Sequence, residues 1–177
     1  MKKILLLLPL AALLLTLGCK KILDLLEFTV EDSQTITVPA TVPLGQFFPL
    51  SPVAVSSTSR ATYANNNTSA DYVQDVTLER LALTITSPTG QNFDFLRRIE
   101  VYISTSANSS DQVLLASLNP VPTGATSIEL TPANQKLDVF LRGDSYMLTT
   151  KVDVVKPLGQ NVTLRADSRF KVKARKP

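Results

Sequence analysis

From Val162 to Ala174 the apolar residues Val162, Leu164, Ala166, Phe170, Val172 and Ala174 share one parity, and Thr163, Arg165, Asp167, Arg169, Lys171, Lys173 and Arg175 share the other. A β-strand turns successive side chains to opposite faces, so a half-buried strand is the conformation that sorts this pattern. The same period runs through Tyr146, Leu148, Thr150, Val152 and Val154, and through Ile99, Val101 and Ile103 around Glu100 and Tyr102. Thr35, Ile36, Thr37 and Val38 read as an edge strand punctuated by Pro39 and Pro43. Val53 and Val55 mark another short strand, and residues 113–118 read as the hairpin partner of the strand before them. In residues 73–86 the phase slips, because Val76 and Leu78 have one parity and Leu81, Leu83 and Ile85 the other; a β-bulge at Glu79 and Arg80 accounts for it.

Two segments depart from the period of two. After a short strand at Ile128 and Leu130, the residues Leu137, Phe140 and Leu141 fall at helical spacing between Pro132 and Gly143. One short helix is expected there, with Thr131 placed to cap its start and Gly143 to stop it. Residues 60–71 hold Asn65, Asn66, Asn67 and Ser69 and few core formers, so they read as an exposed loop.

Seven to nine short strands separated by Pro, Gly and Asn turns, with one helical excursion, predict an all-β fold, an antiparallel β-sandwich. The pattern resembles the broad immunoglobulin-like class of sandwiches, including those of the late-embryogenesis-abundant type, without the disulfide and core tryptophan of antibody domains.

The amino-terminal region follows other rules. Lys2 and Lys3 precede an uncharged, leucine-rich stretch from Ile4 to Leu17, interrupted by Pro9. It is short of the roughly 20 apolar residues that span a bilayer, and it has the profile of a cleaved signal peptide. The stretch ends Thr16-Leu17-Gly18-Cys19, which resembles the lipobox of bacterial lipoproteins at Gly18 and Cys19; the common leucine three places before the cysteine is Thr16 here. That resemblance implies cleavage between Gly18 and Cys19, lipidation of Cys19 and attachment to a membrane through acyl chains. Cys19 is the chain's one cysteine, so it has no internal disulfide partner. In enteric lipoproteins an Asp directly after the cysteine favours inner-membrane retention; Lys20 in that place implies the outer membrane, and the lack of an acidic cluster after Cys19 the periplasmic side. The expected organisation is a signal peptide over residues 1–18, a lipidated tether over 19–28 and one β-sandwich domain over 29–177. A mature length of about 160 residues suits one domain.

Lys2 and Lys3 leave with the signal peptide, so the excess of 18 basic over 15 acidic residues shrinks to near balance. No attraction to nucleic acid follows from it. Histidine and tryptophan are absent from the sequence, which removes histidine-ligated zinc sites and the Ser-His-Asp and Cys-His hydrolases. No cofactor or metal site is expected; Asp71, Asp75 and Glu79 recur every fourth residue in or beside a strand, a spacing that builds no calcium cage. The expectation is a non-catalytic binding or structural module of the cell envelope with a protein, glycan or lipid partner. One rival is a carrier holding an apolar ligand near Phe93, Phe95 and Phe140; another is a carboxylate-dependent hydrolase with an acid pair in a cleft. Two partner surfaces are candidates. Arg165, Arg169, Lys171, Lys173 and Arg175 form a basic stripe that suits an anionic partner, or equally a solvated face whose lysines discourage edge pairing. The loop from Arg60 to Tyr72 is the other.

Overall fold

The computed structural model describes residues 25–177. The signal peptide, Gly18 and Cys19 lie outside them, as does the tether through residue 24. Nine strands follow in chain order: β1 Leu25–Val38, β2 Phe47–Pro49, β3 Val53–Ser56, β4 Val73–Ser87, β5 Leu96–Ser104, β6 Val113–Leu118, β7 Ser127–Pro132, β8 Ser145–Val154 and β9 Val162–Arg175. Two short helices are present, α1 Ser59–Asn65 and α2 Asp138–Arg142, with single 3-10 turns at Ala70–Tyr72 and Phe93–Phe95.

All ladders are antiparallel and run in the order β1-β9-β4-β7-β6-β5-β8-β2, with β3 beside β2 on the same flank of β8. The sheet curls into a half-barrel whose inward residues form a single core. β9 contributes Val162, Leu164, Ala166, Phe170, Val172 and Ala174 to that core, the parity read from the sequence, and Ser168 joins them. The expected bulge is also present: the β4–β9 register shifts between Leu78 and Arg80, which brings both Leu78 and Leu81 inside.

Several expectations change. β9 is an interior strand, flanked by β1 and β4, so its lysines guard no edge. β1 is far longer than Thr35–Val38, and its first residues, Leu25 to Phe28, pair with β9 inside the stretch expected as tether. Residues 60–71 hold a helix in place of a loop. α1 has one apolar anchor, Tyr63, which is buried and donates its hydroxyl to the Leu141 carbonyl at 2.8 Å; Ser59 donates to the Gly143 carbonyl at 3.2 Å. Tertiary bonds hold this helix, so its own periodicity is weak. Its end is local chemistry: Asn67 takes a left-handed backbone (φ 52°), which asparagine tolerates.

The helix expected before Gly143 forms, with Leu137, Phe140 and Leu141 buried, but Thr131 does not cap it. β7 continues through Thr131 and Pro132, which pair with Ser117 and Ala116, and Leu137 sits at the helix start without a side-chain bond. Gly143 ends α2 in extended rather than left-handed backbone; a Cβ there would lie 3.3 Å from the Ser145 carbonyl oxygen.

The two ends of the curled sheet differ. At the near end, where β1 begins, Leu25 faces Arg175 and Val73 faces Ala174. α2 closes this mouth, with Leu137 N–H bonded to the Val76 carbonyl and Arg142 Nη2 to the Val73 carbonyl, each at 2.8 Å. At the far end Val38 faces Val162 and Leu96 faces Val154. There the plug is aromatic, Phe93 and Phe95 buried and stacked with centroids 6.2 Å apart.

Candidate binding surfaces

The register places β1 beside β9 so that Glu27 lies opposite Lys173 and Glu31 opposite Arg169. Each acid forms ion pairs: Glu27 with Lys171 at 3.0 Å and Lys173 at 3.6 Å, Glu31 with Arg169 at 2.7 Å. Arg165 pairs with Asp167 along the strand at 2.8 Å, and Arg175 lies beside the Gln74 side-chain amide. The Lys171 ammonium, by hydrogen bond and by charge, holds the Glu27 carboxyl below its usual range. The stripe that looked basic in one strand is therefore a mixed-charge face in the sheet. Cross-strand neighbours decide the field of a sheet face, and no single strand reveals them.

A depression of about 450 Å³ opens on this face beside the β4 bulge, lined by Glu31, Asp32, Ser33, Arg80, Asp167, Ser168 and Arg169. Its carboxylates are engaged. Glu31 holds Arg169, and Asp167 accepts from Ser33 at 2.7 Å and from Arg165. Burial raises the Asp167 pKa, but the Ser33 and Arg165 hydrogen bonds and nearby positive charge outweigh it and leave the group lowered.

Asp32 turns inward and is 5% exposed. Its Oδ1 accepts from the Thr58 N–H at 2.7 Å, and its Oδ2 from the hydroxyls of Ser57 at 3.0 Å and Tyr146 at 3.1 Å. With Thr58 Oγ1 bonded to the Glu31 carbonyl at 2.9 Å and the Gln34 amide to the Ala54 carbonyl, it latches β1 to β3 and closes the seam where the sheet curls round on itself. A buried carboxylate with three donors is satisfied where an unpaired one would cost several kcal/mol. Burial first, then the Asp32 charge, raises the Tyr146 and Tyr63 phenols, Tyr63 to about 12.

The segment from Arg60 to Tyr72 lies at the near end, where Thr68 Oγ1 bonds the Arg175 carbonyl at 2.9 Å and the Tyr63 ring meets Phe28 edge-on at 5.9 Å. With Arg142 of α2 it lines a second cleft of about 450 Å³: Arg60, Tyr63, Ala64, Thr68, Ser69, Ala70 and Asp71. Arg60 pairs with Asp144 at 2.7 Å on the surface, and Arg142 with the half-buried Asp138 at 3.6 Å.

The far end carries a feature that sequence reading missed. Leu44, Phe47, Phe48 and Val155 are exposed around the point where β2 pairs with the end of β8 and Gly45 N–H bonds the Val154 carbonyl at 2.8 Å, Phe47 on the sheet face of Asp153 and Arg98 and Phe48 on the opposite one. Arg98 lies over the Phe47 ring at 4.5 Å while bonded to Glu100. Asp153, opposite Phe47, takes two bonds from Arg97 on Oδ2, and its buried Oδ1 has no partner. The adjacent phenylalanines were the signal in the sequence, but adjacent residues point to opposite faces of a strand, and only the edge position of a three-residue strand leaves both exposed.

Among the described residues, no group of three His, Cys, Asp or Glu is placed to hold a metal ion, and no helix is long and apolar enough to cross a membrane. Asp71 sits in a 3-10 turn while Asp75 and Glu79 ride on β4. No protein-family model matches the chain, and a search among curated proteins finds no match.

Proposed function

We propose that this chain is a lipid-anchored protein of the bacterial cell envelope that binds a partner, without catalysis, through the apolar patch at its far end. The observation that carries the reading is polarity. Only residues 20–24 separate Cys19 from β1. At about 3.5 Å per residue, a segment that short reaches on the order of 20 Å, so lipid on Cys19 holds the near end against the membrane. β1 alone is 14 residues long, about 45 Å at strand rise, and carries the far end away from the bilayer. Phe47, with the Arg98 guanidinium over its ring, then stands at that outer end with Phe48, Leu44 and Val155 exposed around it, and an aromatic ring with an arginine is a combination enriched in protein interfaces. Lys20 favours the outer membrane and its periplasmic face.

In the same reading the half-barrel is a two-layer, immunoglobulin-like sandwich in the broad sense. β1, β9, β4 and β7 make one layer, β6, β5 and β8 with β2 and β3 the other, and the β6–β7 ladder joining them has two residue pairs. The rival readings draw less support. Phe93, Phe95 and Phe140 are packed into the core rather than around a ligand space, and Asp32, Asp167 and Glu31 are tied to donors and cations rather than held ready to exchange a proton.

The experiment places a photo-crosslinking residue at Phe48 or, as a control, at Thr35 on the β1 outer face, in cells carrying the lipidated protein. A discrete adduct from position 48 that Phe47→Ser abolishes is expected. Equal adducts from both positions, or none from position 48, would overturn the docking assignment. Mass spectrometry of the amino terminus tests the anchor separately: an intact peptide starting at Met1 would remove it.

A further inference from the structure

We infer that the near-end cleft seats a zwitterionic phosphoethanolamine headgroup of the membrane phospholipid beneath it. The inference rests on the anchored reading for its orientation, since that reading turns this end toward the bilayer. It rests on the cleft for its chemistry. At about 450 Å³ the cleft is within the size range of small-ligand sites. Its lining carries two guanidinium groups, Arg60 from α1 and Arg142 from α2, and one carboxylate, Asp71.

Within the lining, two cations and one anion define the ligand, and the carboxylates that pair with those cations, Asp144 and Asp138, lie outside it. A guanidinium binds phosphate oxygens in a planar fork and has five N–H donors, so Arg60 and Arg142 keep donors beyond those used on Asp144, Asp138 and the Val73 carbonyl. The Arg60–Asp144 pair is well exposed, with side chains 79% and 65% accessible, and surface pairs of that kind are worth at most about 1 kcal/mol, so a phosphate can compete for Arg60. Asp71 then decides between phosphates. A phosphodiester with no amine leaves that carboxylate facing like charge. A quaternary ammonium has no N–H to give it. A primary ammonium has three donors and suits Asp71 with the hydroxyls of Thr68 and Ser69 beside it.

The near end fits the same occupant: its exposed large apolar residues are Leu25, Tyr72 and Val139, and tyrosine is enriched at the level of lipid headgroups in membrane proteins.

The test uses the mature chain with Cys19→Ala, so that no acyl chain carries the protein to the bilayer. Co-sedimentation is measured with vesicles of phosphatidylcholine alone, or with added phosphatidylethanolamine or phosphatidylglycerol, with glycerophosphoethanolamine and inorganic phosphate as competitors. Binding to the phosphatidylethanolamine vesicles is expected, displaced by glycerophosphoethanolamine but not by equal inorganic phosphate. Arg60→Gln and Asp71→Asn, both at exposed positions, are each expected to weaken it at least ten-fold while leaving the melting temperature in place. Equal binding to all three vesicles, equal displacement by phosphate, variants that bind like the parent, or no binding would each overturn the assignment. The assay needs no acylation, so an unlipidated Cys19 found by mass spectrometry would sink the anchored reading and leave this result legible.

Discussion

The near and far ends of the curled sheet solve one problem in opposite ways. Both must close a mouth through which the core would meet water. The near end uses short helices held by hydrogen bonds, Tyr63 to the Leu141 carbonyl, Arg142 to the Val73 carbonyl and Thr68 to the Arg175 carbonyl. The far end uses packed rings, Phe93 on Phe95, and leaves Phe47 and Phe48 outside. The near-end closure leaves a surface with charge and a cleft, and the far-end closure leaves exposed rings at its rim.

The sharpest break in that contrast is Phe93→Ala, which empties ring volume from the far plug and is expected to cost about 3 to 5 kcal/mol in urea unfolding. A loss under 1 kcal/mol would show that the far end is not closed by packing. Next is the seam between the ends: Asp32→Ala strips the acceptor from Ser57, Thr58 and Tyr146 and is expected to cost about 2 to 3 kcal/mol by the same measurement.

Tyr63→Phe at the near end removes one hydrogen bond and is expected to cost about 1 kcal/mol at neutral pH. Its pH dependence is more telling. The folded phenol is raised to about 12 from an ordinary 10, so its contribution is whole below pH 10 and is lost as pH rises through 12. Urea midpoints followed by circular dichroism should fall more steeply above pH 10 for the parent than for Tyr63→Phe; parallel curves would refute the assignment.

Phe47→Ser with Phe48→Ser should shift stability by less than about 1 kcal/mol, since both rings are exposed, while binding through the patch disappears. The smallest effect is on the mixed-charge face. Lys173→Gln leaves Glu27 still paired with Lys171 and should change the melting temperature by no more than 1 or 2 °C, about 0.3 kcal/mol, as exposed pairs do.

The β-strand content, the phase slip at Glu79 and the buried parity of β9 were legible in the sequence, because period-two alternation is a local consequence of backbone geometry. The buried positions of Leu137, Phe140 and Leu141 were legible for the same reason at helical period. α1 was not, because a seven-residue helix with one buried ring owes its existence to Leu141 and Gly143, some 80 residues away. The candidate surfaces were half legible. The cations of β9 stood in plain view, but Glu27 and Glu31, which neutralise them, belong to a strand 138 residues earlier in the Arg169–Glu31 pair.

What the sequence determined by itself was the alternation that commits the chain to strands and the places where strands end in Pro, Gly and Asn. What only the tertiary structure decided was strand order, and with it whether a charge stands alone or paired, whether Asp32 is a stray acid or a latch, and which aromatic residues remain outside. Alternation is fixed by neighbours along the chain, whereas field, burial and clefts arise from neighbours across the sheet.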